Sequence, residues 1–321
     1  MKIPTITIGL TTYNAEETIS LAIESALNQS YQPSQIVVVD DASTDHTLKI
    51  ISAYSSKDPR LLVLVNTVNS GVALSRNRIV ENATGEFIAF FDDDDISDPC
   101  RLELQIERIL SYERHYANGA PVLCHTAREQ RFPDGRLQIE PALGHQLNGP
   151  APSGIAVARH ALMGEPLEGG YGACATCSQM ARTTSYRNLG GFNPNLRRCE
   201  DFDFAIRLAA FGGHFLGIAE PLVRQQMTPS TDKSLSAIEI FTLMVFELHH
   251  NLFDSDQQYK FCREWVQFKF RIIAGTKRAA MYQFVRVFSI NPLQCLLRLK
   301  RSLPNFYRNK QFSQFTQIAS S

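Results

Sequence analysis

EFIAFFDDDDISDP, residues 86–99, joins three unlike pieces of chain. EFIAFF (86–91) is a short β-branched and aromatic run, apolar on both faces, as a strand of a covered parallel sheet should be. Four consecutive carboxylates, Asp92 to Asp95, follow it. Asp98-Pro99 then opens a helix, with Asp as the cap and Pro at the first helical position. Leu102, Ile106, Ile109 and Leu110 give that helix a buried face.

The same alternation runs back to the N-terminus. TITIGL (5–10), QIVVVD (35–40) and LLVLVN (61–66) read as further strands. Asn14 can cap a helix with Glu17 three positions on, and Ile19, Ala22, Ile23, Ala26 and Leu27 form one apolar stripe. Ser43 or Thr44 can start a second helix carrying Leu48, Ile51 and Ala53, and residues 71–83 read as a third, ended by Gly85. Repeated strand–helix–strand units predict an α/β fold: a Rossmann-like, mostly parallel sheet flanked by helices, with right-handed crossovers. From about Asn118 to Gly172, Pro and Gly become frequent and periodicity is poor. This stretch reads as loops and short strands that could meet substrate. Regularity returns at SQMARTTSYRNLGGF (178–192) and in a helix through 203–212. Beyond about Ser234 the chain reads as a helical C-terminal extension broken at Asn291-Pro292, so the expected regions are 1–233 and 234–321.

With 321 residues the chain can bury a sizeable core, and 44% hydrophobic with 20% charged residues excludes a disordered polymer. Its 32 bases balance its 32 acids, but unevenly: residues 1–256 carry about −11 and residues 257–321 about +11. Such asymmetry points to an anionic partner or a membrane surface. No run of ~18 apolar residues could span a bilayer, and MKIPTITIGL lacks the parts of a secretion signal. The expected location is the cytoplasm, with the inner face of the membrane as the refinement that the basic tail suggests. Seven cysteines, an odd number, do not form a disulfide framework, and the lone pair Cys174 and Cys177 reads as buried small side chains.

Ligands of open α/β sheets bind at the carboxyl ends of the strands, where Asp92–Asp95 fall. A solvated acidic turn is the plain alternative. Oxygen donors on a loop suit a hard cation, Mg²⁺ or Mn²⁺, that also bridges phosphates. Asp40 and Asp41 leave another strand end, with Ser43 and Asp45 just after, and could accept hydrogen bonds from a base or ribose. At a third strand end, LTTYN (10–14), Tyr13 could stack on a base. In RRCEDFDFAIRLA (197–209), Glu200, Asp201 and Asp203 open a helix. Spacing alone supports helix capping by acids and a general base equally.

Together, TTYNAEETISLAIESALNQ (11–29), VVVDDASTDHT (37–47), NSGVALSRN (69–77), ATGEFIAFFDDDD (83–95), GGF (190–192) and ED (200–201) resemble the family 2 glycosyltransferases, inverting enzymes of the GT-A fold. The resemblance covers about residues 3 to 230. It implies that Thr11 and Tyr13 line the base site, with Asn14 and Ser43 beside them, that Asp41 hydrogen-bonds the base and that Arg76 lies near the nucleotide. It implies further that Asp92 and Asp94 are the acids of the family's DxD pattern and hold a divalent cation, with Asp93 near the ribose. Asp201 would be the catalytic base, supported by Glu200. The donor would be a nucleotide diphosphate-sugar, expected to be a UDP-sugar, and the acceptor a glycan or a lipid-linked sugar. One departure stands out: many relatives carry a Tyr-Arg-x-His type segment where this chain reads VRQQMTPSTDKS (223–234), without histidine.

Two other functions compete. A non-catalytic nucleotide-sugar binder would have little use for intact carboxylates. A nucleotidyltransferase would want a Gly- and base-rich phosphate loop at the first strand, and LTTYNAEE has neither. The tail sets Trp265, Phe268, Phe270, Tyr282, Phe284, Phe288, Phe306, Tyr307, Phe312 and Phe315 among 12 bases and one acid, Glu264. That mixture fits an anionic membrane surface, or helices packing on the acidic front or in a dimer. With no accompanying motif, nucleic acid is not an expected partner.

Overall fold

The computed structural model describes residues 3–145, 149–227 and 234–302. The expectations for Phe306, Tyr307, Phe312 and Phe315 lie outside them. Contacts divide the chain into two compact units: one running to Ala158 and from Pro166 to Met227, the other holding Arg159–Glu165 and the residues beyond Met227.

In the first unit, β1 (Ile6–Thr12), β2 (Gln35–Asp40), β3 (Leu61–Val65) and β4 (Phe87–Asp92) pair in parallel in the order β3-β2-β1-β4. Helices α1 (Ile19–Leu27), α2 (Thr47–Ser55) and α3 (Val72–Asn82) connect them. All of β1 is buried because helices cover both faces. On one face Ile6, Ile8, Leu10, Phe87 and Phe91 join Ile19 and Ile23 of α1 and Leu102, Ile106 and Ile109 of α4 (Arg101–Tyr112) in one core. On the other, α3 approaches so closely that a Cβ on Gly9 would sit 2.4 Å from the Ile79 side chain.

The rest of the sheet is mixed. It adds β5 (Asp95–Ser97), β6 (Val122–Arg131), β7 (Leu137–Glu140), β8 (Gln179–Arg182) and β9 (His214–Gln226) in the order β4-β8-β6-β9-β5, with β7 on β6. β8 runs antiparallel to β4 and β6, β6 and β9 are parallel, and β5 returns antiparallel on β9. The 118–172 stretch therefore corrects the expectation of loops and short strands. It holds the ten-residue β6 and α5 (Ile155–Met163), and α6 (Thr183–Asn188) and α7 (Glu200–Ala210) follow before β9. β6 is flanked by other strands on both edges, so His125, Thr126, Arg128 and Gln130 are buried and the apolar signal of a strand is absent.

Three helix starts differ from expectation. α4 begins at Arg101 after an N-cap at Cys100, so Pro99 is not its first residue, and Asp98 Oδ1 accepts from Cys100 N at 3.1 Å. Asn14 does not cap α1, which begins at Ile19. It takes a left-handed conformation, φ 49°, and its Oδ1 accepts from Thr44 N at 2.8 Å. α2 begins at Thr47, whose N–H is taken by Asp45 at 2.9 Å.

The second unit is helical: α8 (Leu235–Leu248), α9 (Asp256–Ile273), α10 (Lys277–Ile290) and a further helix at 292–302, with the break at Asn291-Pro292 as expected. α9 is the centre, burying Phe261, Cys262, Trp265 and Phe268. Ion pairs tie the unit: Arg271 to Glu239 at 2.8 Å, Arg286 to Glu264 at 2.7 Å and Arg159 to both Glu165 and Asp254. No helix among the described residues is long and apolar enough to cross a membrane.

Candidate active site

β4 ends at Asp92 and β5 begins at Asp95, so Asp93 and Asp94 form the turn between them. The turn is held from below. Arg101, fully buried, donates to Ser97 Oγ at 2.8 Å and Phe90 O at 2.9 Å, and its guanidinium lies 4.4 Å from the centre of the Phe91 ring. Burial pulls its pKa down to about 10. Asp93 Oδ2 accepts from Tyr13 N at 3.1 Å, which joins the ends of β1 and β4. Burial and the neighbouring charge of Asp94 push Asp93 up to about 7.

Asp95 is buried, and neither carboxylate oxygen receives an N–H or O–H hydrogen bond among the described residues; the Cys177 thiol lies beside them. Burial first, then Asp92 and Asp94, hold its pKa well above the carboxylate range. One oxygen of Asp92, one of Asp95 and Cys177 Sγ all lie within 4.8 Å of one another. The orphaned oxygens of Asp95 beside the like charge of Asp92 are oxygen donors of the kind a hard divalent cation takes, with the softer thiol beside them, so these residues fit the implied ion. Among the described residues the group holds Asp95 and not Asp94, the expected second ligand; as the fourth acid of the run Asp95 has no separate signal in the sequence. Burial also pushes the Cys174 and Cys177 thiols up, and all seven cysteines are free; Cys177 is buried, as the reading of the pair as small buried side chains expects, while Cys174 is half-buried.

Arg76 links this turn to the acids of α7 (Glu200–Ala210). It is 5% exposed and donates to Asp92 Oδ1 at 3.0 Å and to Glu200 Oε1 at 2.5 Å. Its guanidinium lies 5.6 Å from the Phe192 ring centre. Burial and Asp201 push Glu200 up to about 7 against the pull of Arg76. Asp201 follows at the first turn, where its Oδ1 accepts from Phe202 N at 2.7 Å. The turn before α7 is fixed by Arg207, which pairs with Asp203 and donates to Leu189 O and Gly191 O, and by Asn77, which brackets the Phe192 backbone.

At the other strand ends, Tyr13 leaves its ring 47% exposed, while Thr11 is buried. Asn14 N donates to Ser43 Oγ at 2.9 Å, and Ser43 N to Asp40 Oδ2 at 3.1 Å. Asp41 is buried, and its carboxylate accepts from Asn66 Nδ2 at 2.5 Å, Ser70 N at 2.9 Å and Gly71 N at 2.8 Å. Gly71 precedes α3, the helix that carries Arg76. Asp41 thus fixes a loop with the oxygens expected to meet a base. The structure brings together Tyr13 with Asp93, Asn14 with Ser43, and Asp92 with Glu200 through Arg76. A cavity of about 320 Å³ lined by Glu113, Arg182, Ser185 and Phe211 lies at the opposite, amino end of the strands.

Comparison with known proteins identifies the family and the fold. The profile of "Glycosyl transferase family 2" matches residues 7–162. The glycosyltransferase EpsE of Bacillus subtilis is 30% identical over 224 residues, 69% of this chain and 72% of EpsE. WfgD of Escherichia coli, a UDP-Glc:α-D-GlcNAc-diphosphoundecaprenol β-1,3-glucosyltransferase, is 41% identical over 114 residues, which span 44% of WfgD and 36% of this chain. In fold, TarS 1–349 of S. aureus, crystallised with UDP-GlcNAc, superposes with a TM-score of 0.62 at 16% identity, covering 98% of this chain and 90% of that one. The family profile and the 30% identity to EpsE over most of both chains show that the chain belongs to glycosyltransferase family 2.

Proposed function

We propose that this chain moves a sugar from a UDP-sugar to a hydroxyl of a lipid-linked or surface-glycan acceptor, inverting the anomeric carbon. The observation that carries the reading is the Asp92–Arg76–Glu200 bridge. It ties the strand end suited to a pyrophosphate to the helix start that bears Asp201. The activity of WfgD and the UDP-GlcNAc complex of TarS support the choice of donor, and WfgD that of a lipid-linked acceptor.

In this reading the exposed ring of Tyr13 stacks on the base, and Thr11, Asn14 and Ser43 line its edge. Asp41 shapes the loop at 66–71 around it. Asp93 takes a ribose hydroxyl. Asp92 and Asp94, with Asp95 behind them, would hold Mn²⁺ or Mg²⁺, which when bound neutralises charge on the leaving diphosphate. Asp201 accepts the acceptor's hydroxyl proton while that oxygen forms its bond to the anomeric carbon and the bond to the diphosphate oxygen breaks. Glu200, pinned by Arg76, keeps the start of α7 in place.

General-base catalysis is worth ~10²–10⁴ in rate. Asp201→Asn therefore keeps donor binding, measured by titration, and loses turnover by about that factor, measured as nucleoside diphosphate released with acceptor present. Undiminished turnover would remove Asp201 from the reaction.

A further inference from the structure

The fold leaves the outer faces of its last two described helices unused. α10 packs its inner side on α9: Phe284 meets Phe268 with ring centres 5.7 Å apart, Val287 is buried, and Arg286 and Gln283 bond to Glu264. The helix at 292–302 does likewise. Cys295 is fully buried, and Arg298 donates to Cys262 Sγ at 3.3 Å and lies 5.3 Å from the Trp265 ring centre. Turned to solvent are Met281, Tyr282, Val285 and Phe288 on the first helix and Leu293, Leu296 and Leu297 on the second, each between 37% and 66% exposed. Spacings of three, four and seven residues put each set on one side of its helix. Soluble monomers rarely leave that much apolar surface open without a use.

Charge selects the occupant. Lys277, Arg278, Lys300 and Arg301 are all exposed on these helices, and residues 277–302 contain no Asp or Glu. α8 provides the internal contrast. It also exposes an apolar row, Ile240, Met244 and Leu248, but has two acids, Glu239 and Glu247, and no base. A second copy of the basic face would set like charges against each other. A lipid bilayer with anionic headgroups offers phosphates to the bases and an acyl boundary to the apolar rows. We infer that α10 and the helix at 292–302 dock this unit on an anionic membrane surface. The inference is independent of the transfer reading, because it concerns binding and not turnover.

The test is flotation of the full chain with vesicles of phosphatidylcholine alone or with phosphatidylglycerol added. The protein floats with the anionic vesicles, less at high salt, and weakly with the neutral ones. Val285→Glu with Leu296→Glu lowers the bound fraction about tenfold, and Lys277→Glu with Arg278→Glu does so on the anionic vesicles. Both pairs keep the melting temperature and the release of nucleoside diphosphate with a soluble acceptor, because all four side chains are exposed. Val285→Ser with Leu296→Ser is the milder variant if the charged pair perturbs folding. Protein left in the soluble fraction with anionic vesicles overturns the inference, as does flotation indifferent to these changes. A concentration-dependent dimer in light scattering that the glutamates dissolve would assign the rows to a second copy and overturn it as well.

Discussion

Two strands of the same half-sheet end in adjacent aspartates, and the two ends do different work. At the end of β2, Asp41 is filled with donors: one side-chain amide and two backbone N–H groups hold its oxygens, while the neighbouring Asp40 accepts from Ser43 N through one oxygen and keeps the other buried without a partner among the described residues. At the end of β4, Asp95 has no such donor among the described residues, and Asp93, with one backbone N–H, is pushed up to about 7. A carboxylate saturated by N–H groups is a structural fastener. One left buried with open lone pairs stays costly until a cation or a proton arrives. Composition does not separate the two cases; the donors around each carboxylate do.

The strongest way to break this contrast is to remove Arg76, the cation that bridges the β4 end to the start of α7. Arg76→Met leaves Asp92 and Glu200 without the guanidinium between them. Removing one partner of a buried ion pair typically costs about 3–5 kcal/mol. Thermal unfolding should show the first unit melting well below the wild type, with Arg76→Lys recovering part of the loss. An unchanged midpoint would mean that the bridge is not a stabilising element.

Next comes a matched pair. Asp41→Ala strands the amides of Ser70, Gly71 and Asn66, at about 1–3 kcal/mol for buried donors left without partners. Asp94→Ala removes a like charge from between Asp93 and Asp95, so stability changes by less than about 1 kcal/mol while cation-dependent donor binding is lost. Denaturant unfolding and a donor titration with and without Mn²⁺ read both effects. If the two variants exchanged behaviours, the division between fastener and ligand would fall.

The pH dependence sharpens it further. With the cation chelated, Asp93 in the folded protein holds its proton up to about 7, far above an unfolded aspartate. The folded state then binds more protons than the unfolded one between about pH 4 and 7. Stability contributed by this group is present at the acid end of that window and is lost as pH rises through it. Residual contact with solvent limits the loss to about 1–2 kcal/mol. Asp93→Asn flattens the slope, measured as melting temperature against pH in chelator. A slope that survives the substitution would place its origin elsewhere, and Glu200, also near 7, is the group to change next.

Much of this was legible in the sequence, and the gaps have physical causes. β1, β2, β3 and β4 are runs of apolar residues because both faces are covered, so they announce themselves. β6 is just as central, but its second half carries Arg128 and Gln130, whose side chains reach Gln225 across the strand pair, and polar strands look like loops. The acidic run, the Glu-Asp pair and Arg76 were all visible within motifs, but not the bridge by which Arg76 joins the other two. The bridge did leave a trace: Arg76 occupies a position in the apolar stripe of α3, with Ala73, Ile79 and Val80. An arginine in a buried stripe calls for a buried acid, and two acids answer it. What no pattern could supply was Asp41's partners, because the loop at 66–71 returns to it from a separate stretch of chain.

The smallest predicted effect tests the β2 end as a fastener by leaving its carboxylates alone. Ala42, between Asp41 and Ser43, takes a left-handed conformation with φ 63°. For a residue with a Cβ that conformation costs roughly 1–2 kcal/mol, whereas glycine adopts it freely. Glycine in turn gives the unfolded chain more freedom, worth about 0.5–1 kcal/mol in the opposite direction. The balance favours Ala42→Gly by about 0.5 kcal/mol, a rise of one or two degrees in melting temperature for a unit of this size. Donor binding should not move, because the hydrogen bonds of Asp40 and Asp41 are unchanged. A rise in stability with constant donor affinity would show that the turn is strained only to seat its two aspartates. A fall would mean that the Ala42 methyl packs in a way that outweighs its strain, and the β2 end would then be held by contact as well as by N–H donors.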